Sequence, residues 1–231
     1  MGSVFMIRAI TSATAAQAYK VLFWHLVEKG EPFTSEDGAD CKIIDTVICH
    51  IDKPLEQLPE LIQMSPLGPL AMEQYRKDFV KGVSPDDPRL MDFEYTYHER
   101  LFDYTVPESD IYVNQIGNII HKIVHNPFTR RAVACLWQPW CDIDSPEPPC
   151  LNMVKFNVSR DGTRLNLSCV FRSHDLIGGW TNNVYALAHL LKLVAEQIGR
   201  DVGYLEVISF DGHAYKKDQY QIDRLKELLK Q

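Results

Sequence analysis

The chain has 231 residues, 45% hydrophobic and 24% charged, with a formal net charge of −7; that suits one large or two small domains of ordinary soluble composition and argues against broad attraction to nucleic acid. No apolar run approaches the roughly 20 residues that span a bilayer, and residues 1–8 have no basic region followed by a long apolar core, so they do not read as a signal peptide. The six cysteines (Cys41, Cys49, Cys135, Cys141, Cys150, Cys169) form no CxxC, which argues against a zinc site or a disulfide framework and for a reducing cytoplasm.

Residues 3–10 read as a strand. Residues 14–29 read as an amphipathic helix, with Tyr19, Leu22, Phe23, Leu26 and Val27 at helical spacing, closed by Gly30 in a left-handed conformation. Residues 42–51 (KIIDTVICHI) are rich in β-branched side chains and read as one strand. Pro54, Pro59, Pro66 and Pro69 then predict an irregular crossing. A second helix covers 72–81 and ends at Gly82, followed by a polar loop at 84–88. Aromatic residues at every second position predict a strand over 93–97. Ile116, Ile119, Ile120, Ile123 and Val124 predict a helix over 114–125, stopped by Asn126-Pro127, and 131–137 reads as a strand.

Residues 152–158 and 165–172 alternate and are joined through Asp161-Gly162, a strong hairpin signal. Residues 181–199 form the longest helix, capped by Thr181 or Asn182 and stopped at Gly199. A strand over 203–210 and a charged helix over 219–229 close the chain. With no repeat and no linker, residues 1–231 read as a single α/β (α+β) domain, a mixed β-sheet with long helices packed against it.

The stretch Ser145-Pro146-Glu147-Pro148-Pro149-Cys150 delivers one cysteine, on a proline-stiffened lead-in, to the start of an alternating segment. Alone, such a cysteine is more often a buried core residue. Its company favours a nucleophile. Arg130, Arg131 and Arg172 are planar cations suited to bidentate phosphate binding, and Ser173 adds a hydroxyl; the plainer reading of the Arg130-Arg131 pair is a solvated face. Cations near Cys150 predict a lowered thiol pKa and covalent catalysis. Asp211, His213 and Tyr215 follow a strand at period two, which places them on one face where they can bind sugar hydroxyls, or simply form a polar strand end. Asn183, in the first turn of the long helix, offers a donor and an acceptor to a pyrimidine edge; the alternative is a helix cap, and Asn182 competes for either role.

These segments, in this order and spacing, resemble the thymidylate synthase family. Pro149-Cys150 resembles its active-site cysteine segment. Pro127-x-x-Arg130-Arg131, with Trp137 following, resembles its Pro-x-Ser-Arg-Arg…Trp segment. Arg172-Ser173-x-Asp175 matches Arg-Ser-x-Asp, Asn183 falls eight residues later as the family asparagine does, and Asp211-x-His213-x-Tyr215 matches Asp-x-His-x-Tyr. Tyr95-x-Tyr97-His98-x-Arg100 and Asn114-Gln115 resemble two further segments more weakly. The likeness runs from about Tyr95 to Tyr215 and is nearest to the short archaeal-type synthases or the related pyrimidine nucleotide hydroxymethylases.

The resemblance implies a thymidylate synthase-like fold and a cytoplasmic homodimer acting on a pyrimidine nucleotide monophosphate. Cys150 would add to C6 of the base, and C5 would take a one-carbon unit from 5,10-methylenetetrahydrofolate or a related one-carbon pterin, with no metal. Arg172 and Ser173 would hold the phosphate, Arg130 and Arg131 would reach it from the partner subunit, His213 and Tyr215 would hold the ribose, Asn183 would read the base and Asp175 would bind the pterin. No membrane or nucleic-acid partner is expected.

Some positions depart from the family pattern. Leu151 replaces the histidine after the cysteine, and Phe171 replaces the glutamine before Arg-Ser. Gly179-Trp180-Thr181-Asn182 replaces Gly-x-Pro-Phe, and the C-terminal residues lack the usual tail. Glu73 and Glu99 are the candidates for the catalytic glutamate. The leading expectation is conversion of dUMP to dTMP. The rivals are a 5-hydroxymethylase acting on dUMP, dCMP or CMP, and a catalytically inactive nucleotide-binding homologue.

Overall fold

The computed structural model describes residues 7–84, 86–89, 95–106 and 108–230. Strand β1 (Arg8–Ser12) leads into helix α1 (Ala15–Lys29), whose cap is Thr14, accepting from the Gln17 N–H at 3.3 Å. Tyr19, Leu22, Phe23 and Leu26 form the buried stripe of α1. Gly30 ends it with φ −61° rather than in the left-handed region. Glycine is required there by space, because a Cβ would stand 2.5 Å from the Leu26 carbonyl oxygen.

The expected single strand over 42–51 is two strands in two different sheets. After β2 (Glu31–Thr34), β3 (Asp40–Ile44) pairs with β2, and β4 (Val47–Ile51) pairs with β1. Asp45-Thr46 makes the break, and aspartate is poorly tolerated inside strands. The proline-rich crossing is also more regular than expected. Pro59 and Pro69 occupy the first turns of α2 (Leu58–Met64) and α3 (Gly68–Lys81), where a missing N–H has no helical partner to lose.

The aromatic alternation over 93–97 is not a strand where it can be seen. Phe93 and Glu94 lie outside the described residues, and Tyr97 opens α4 (Tyr97–Phe102), capped by Thr96. Strands β5 (Tyr104–Thr105) and β6 (Tyr112–Val113) form a small ribbon, followed by α5 (Gln115–His125), capped by Asn114. The expected strand over 131–137 contracts to β7 (Val133–Cys135), before the single turn α6 (Pro139–Asp142). The hairpin of β8 (Leu151–Val158) and β9 (Arg164–Phe171) forms around Asp161-Gly162 as expected.

After the short β10 (His174–Asp175) comes α7 (Trp180–Gln197), buried on nearly every side. It begins at Trp180, so Thr181 and Asn182 are buried helical residues rather than caps. Asn182 donates to the Gly178 carbonyl at 2.8 Å and accepts from the Ser65 hydroxyl at 2.7 Å. Strands β11 (Asp201–Ser209) and β12 (Gly212–Tyr215) and the terminal helix α8 (Gln219–Leu229) complete the chain.

Six strands make a mixed sheet in the order β1-β4-β11-β9-β8-β7, and four make a second sheet, β10-β12-β3-β2. Helix α7 packs on β9 and β11 of the large sheet. Leu167, Cys169, Leu205 and Val207 point to that side and are fully buried. Alternate positions on the opposite face, among them Ile48, Met153, Val170, Tyr204 and Ile208, are only half-buried. Strand β10 pairs parallel with β12, in register Asp175 with His213, and this pairing brings two of the sequence motifs together.

Candidate active site

A cleft of about 1050 Å³ opens between the small sheet, α3, α4 and the proline segment before β8. Cys150, Arg172, Ser173, Asp175, His213 and Tyr215 all line it. Cys150 sits one residue before β8, where the hairpin register carries Leu151 to Phe171. Arg172 clamps this approach. Its N–H donates to the Cys150 carbonyl at 2.9 Å, and its guanidinium donates to the carbonyls of Pro148 at 2.7 Å and Pro149 at 3.2 Å. Its Nη1 has no protein partner among the described residues, which leaves donors free for an anion. On the other flank, the Leu151 N–H donates to the Tyr97 hydroxyl at 3.3 Å.

Burial pushes the Cys150 thiol up; Arg172 pulls it down, and Asp175 pushes it up again. The expected depression fails because burial outweighs the pull of Arg172, and Arg130 and Arg131 add none from within the same chain. Both are exposed, outside the cleft lining, in the segment leading into edge strand β7.

The sugar-facing motif is brought to one place. Asp211, His213 and Tyr215 all line the cleft, with Asp211 in the turn before β12 at φ 41°. His213 Nδ1 lies 3.3 Å from the Ser173 hydroxyl and 3.0 Å from the Asp211 carbonyl oxygen. The Asp175 carboxylate accepts the N–H groups of Ile177 at 3.0 Å and Gly178 at 2.8 Å. Any Cβ at position 178 would collide with that carboxylate.

Asn183 is not on the cleft surface. It is 8% exposed and lies behind Tyr75, whose hydroxyl donates to Asn183 Oδ1 at 2.5 Å. Behind Asn183 stands His174, 3.1 Å from its Nδ2, and His174 Nδ1 meets the Ser209 hydroxyl at 2.8 Å. The His174 ring stacks on Phe171 with centroids 3.8 Å apart. Its pKa falls to about 3, chiefly by burial and then through His213, so the ring is neutral at ordinary pH.

Neither proposed glutamate reaches the cleft. Glu73 is held by Arg76 at 2.6 and 2.8 Å and by the Tyr185 hydroxyl at 3.2 Å, and Glu99 is exposed. The glutamates that do line the cleft are Glu36 and Glu147. Sequence reasoning also missed Tyr75 and Phe79, which line the cleft from α3; they sit in an ordinary amphipathic pattern that carries no chemical signal. His174 stood inside a quoted motif, but nothing in the motif marked its role. Among the described residues, no three His, Cys, Asp or Glu side chains converge as a metal site. No helix among them is long and apolar enough to cross a membrane.

The thymidylate synthase family model matches residues 12–231. The chain belongs to the thymidylate synthase family. Its relatives include proteins named "putative thymidylate synthase" from three archaea. The protein from Methanocaldococcus jannaschii is 34% identical over 201 residues, covering 84% of each chain. That from Methanococcoides burtonii is 32% identical over 196 residues, 85% of this chain and 84% of its own. That from Methanopyrus kandleri is 28% identical over 209 residues, 90% and 93% of the two chains. The mixed α/β architecture agrees with this membership. Where the family pattern has glutamine before Arg-Ser, this thymidylate synthase family member has Phe171, whose ring backs His174 instead of offering an amide to the cleft.

Proposed function

We propose that the protein converts dUMP to dTMP, taking the one-carbon unit from 5,10-methylenetetrahydrofolate or a related one-carbon pterin. The observation that carries this reading is the convergence of Cys150, Arg172, Ser173, Asp175, His213 and Tyr215 on one cleft large enough for a nucleotide and a flat second ring. Arg172 and Ser173 hold the nucleotide phosphate, and His213 and Tyr215 hold the ribose. Cys150, as thiolate, bonds to C6 of the base, and the displaced electron pair makes C5 the nucleophile towards the one-carbon unit; loss of the C5 proton with release of the pterin nitrogen, hydride transfer from the tetrahydropterin to the resulting methylene, and departure of Cys150 then give dTMP and the dihydropterin. Asp175 accepts from the pterin. Phe33, Phe79 and Tyr95 supply apolar and aromatic surface for its ring.

The working unit in this reading is a homodimer that buries the half-exposed face of the six-stranded sheet. Arg130 and Arg131, beside edge strand β7 of that sheet, then reach the neighbour's phosphate. All six cysteines are free thiols, which supports a reducing, cytoplasmic setting.

The test is incubation with dUMP and methylenetetrahydrofolate, followed by mass analysis of both products. dTMP with dihydrofolate supports the reading; 5-hydroxymethyl-dUMP with tetrahydrofolate replaces it with a hydroxymethylase. Cys150→Ser should abolish turnover and keep nucleotide binding, and near-normal turnover in that variant would sink the covalent mechanism.

A further inference from the structure

We propose that the pterin taken by this cleft carries an uncharged, hydroxyl-bearing tail, and that the negative charge of the cleft disfavours the glutamate chain of a folate. This rests on the reading of the cleft as the site of a pyrimidine nucleotide and a reduced pterin.

The described residues include every lysine and arginine of the chain. Among them, Arg172 alone lines the cleft. Its guanidinium holds the carbonyls of Pro148 and Pro149, and its remaining donor serves the nucleotide phosphate. Lys217 lies over the Tyr215 ring at 4.8 Å but is not part of the lining. His98 does line the cleft. Its pKa is lowered, chiefly by burial, so it adds no full charge near neutral pH.

Against this one cation stand six carboxylates, Glu36, Asp37, Asp78, Glu147, Asp175 and Asp211. Asp78 is matched by Arg89 at 2.7 Å. Asp175 is held by two backbone N–H groups, and Asp211 lies at the ribose end. Glu36, Asp37 and Glu147 are exposed and form no ion pair among the described residues.

The nucleotide takes Cys150, Arg172, Ser173, His213 and Tyr215, and the pterin ring takes Asp175 and the aromatic wall. A tail leaving the cleft therefore runs over what remains of the lining. That is the β2–β3 turn with Ser35, Glu36 and Asp37, and the proline segment with Glu147. The first glutamate of a folate brings two carboxylates and each further glutamate one more. Like charges within a Debye length of one another repel, and nothing in the lining offsets this. An apolar tail would strip water from the three carboxylates and give no bond in return. Hydroxyls donate to carboxylates without adding charge.

The test measures KM, at saturating dUMP, for three one-carbon donors. Two are 5,10-methylenetetrahydrofolate with one and with four γ-linked glutamates. The third is the same pterin with its glutamate replaced by an aminopropanediol amide. The diol should have the lowest KM, and the tetraglutamate should exceed the monoglutamate about three- to tenfold at low salt, with the gap narrowing at about 0.3 M NaCl. Glu36→Gln combined with Asp37→Asn, and separately Glu147→Gln, should bring the tetraglutamate-to-diol ratio down towards one.

A tetraglutamate KM equal to or below that of the monoglutamate at low salt overturns the proposal and leaves the functional reading intact. So does a ratio that neither the Glu36 and Asp37 double variant nor Glu147→Gln moves. If no donor supports turnover, the functional reading falls, and the tail is read from binding of the three reduced pterins to the dUMP-saturated protein by fluorescence quenching. Tetraglutamate binding as tight as the diol there, or no binding by any of the three, overturns the inference as well.

Discussion

The N–H of Arg172 donates to the carbonyl of Cys150 at 2.9 Å, so the nucleophile and the cation beside it are tied through one backbone bond at the mouth of the β8–β9 hairpin. The Arg172 side chain also grips the two prolines preceding the cysteine. Cation placement and cysteine placement are therefore one structural event.

The first prediction follows from the balance at the sulfur. Burial raises the Cys150 thiol above its usual range and Arg172 opposes this. Without nucleotide, iodoacetamide should label the Cys150 peptide more slowly at pH 7 than a free thiol, with the rate still climbing above pH 9. Arg172→Ala should shift that climb to higher pH. Mass spectrometry of the labelled peptide separates Cys150 from the exposed Cys135 and Cys141. Rapid labelling at pH 7 that saturates below pH 8 would contradict the balance.

The second concerns the Arg172 fork. Lysine keeps the charge but cannot bridge Pro148, Pro149 and an anion together. Arg172→Lys should weaken dUMP binding about ten- to a hundredfold, since bonds to charged groups contribute about 1.5–3 kcal/mol. Calorimetric titration with dUMP measures this, and an unchanged Kd would remove Arg172 from the phosphate site.

Much of this arrangement was legible in the sequence because it depends on local spacing. The hairpin turn at Asp161-Gly162, the period-two pair His213 and Tyr215, and helix α8 all rest on short-range signals. What could not be read depends on tertiary context. The KIIDTVICHI run carries strand propensity throughout, but only pairing partners assign its halves to β12 and β11 respectively. The start of α7 was misplaced because Thr181 and Asn182 are good caps in isolation, whereas here the cap position falls to Gly179. The raised Cys150 thiol was not legible because motif order says which cations exist, not how deeply the sulfur is buried.

The third prediction concerns Arg130 and Arg131, which are exposed and outside the cleft of their own chain. If they complete the neighbour's phosphate site, an Arg131→Ala chain and a Cys150→Ser chain, each inactive alone, should regain activity when mixed, through one intact site per heterodimer. Native mass spectrometry verifies that heterodimers form. Heterodimers without activity would place the arginines elsewhere.

The fourth concerns the buried ion pair between Arg100 and Asp142. Arg100 and Asp142 meet at 2.8 and 3.2 Å with side chains only 7% and 3% exposed, and Asp142 also accepts the Gln138 N–H. Removing one partner strands a buried charge. Asp142→Asn should cost about 3–5 kcal/mol in urea unfolding, a large part of a domain's stability. Asp142→Leu combined with Arg100→Met should cost less than Asp142→Asn alone. If the single change costs under about 1 kcal/mol, the pair is no better than a surface ion pair.

The last prediction uses His174. Burial, reinforced by His213, lowers its pKa from 6.5 to about 3 in the folded protein. Between those values the unfolded chain carries a proton on this ring that the folded chain does not. The unfolded state binds more protons there, so stability rises with pH across the window and is lost as pH falls from about 6.5 towards 3. At 1.36 kcal/mol per unit, the whole window is worth on the order of 5 kcal/mol. Glu73, held down at about 2 mainly by its hydrogen bond to Arg76, loses its contribution over a lower range, from its ordinary value near 4.5 downwards. Urea midpoints at half-unit steps from pH 7 to 4 should therefore fall steadily for the wild type. His174→Gln has no proton to take up at this position and should make that curve shallower between pH 6.5 and 4.5, where Glu73 does not yet contribute and the remaining slope belongs to His25, His98 and His189, which burial also lowers. Parallel curves for the two proteins would mean that the ring ionises in the folded state much as it does in the unfolded chain.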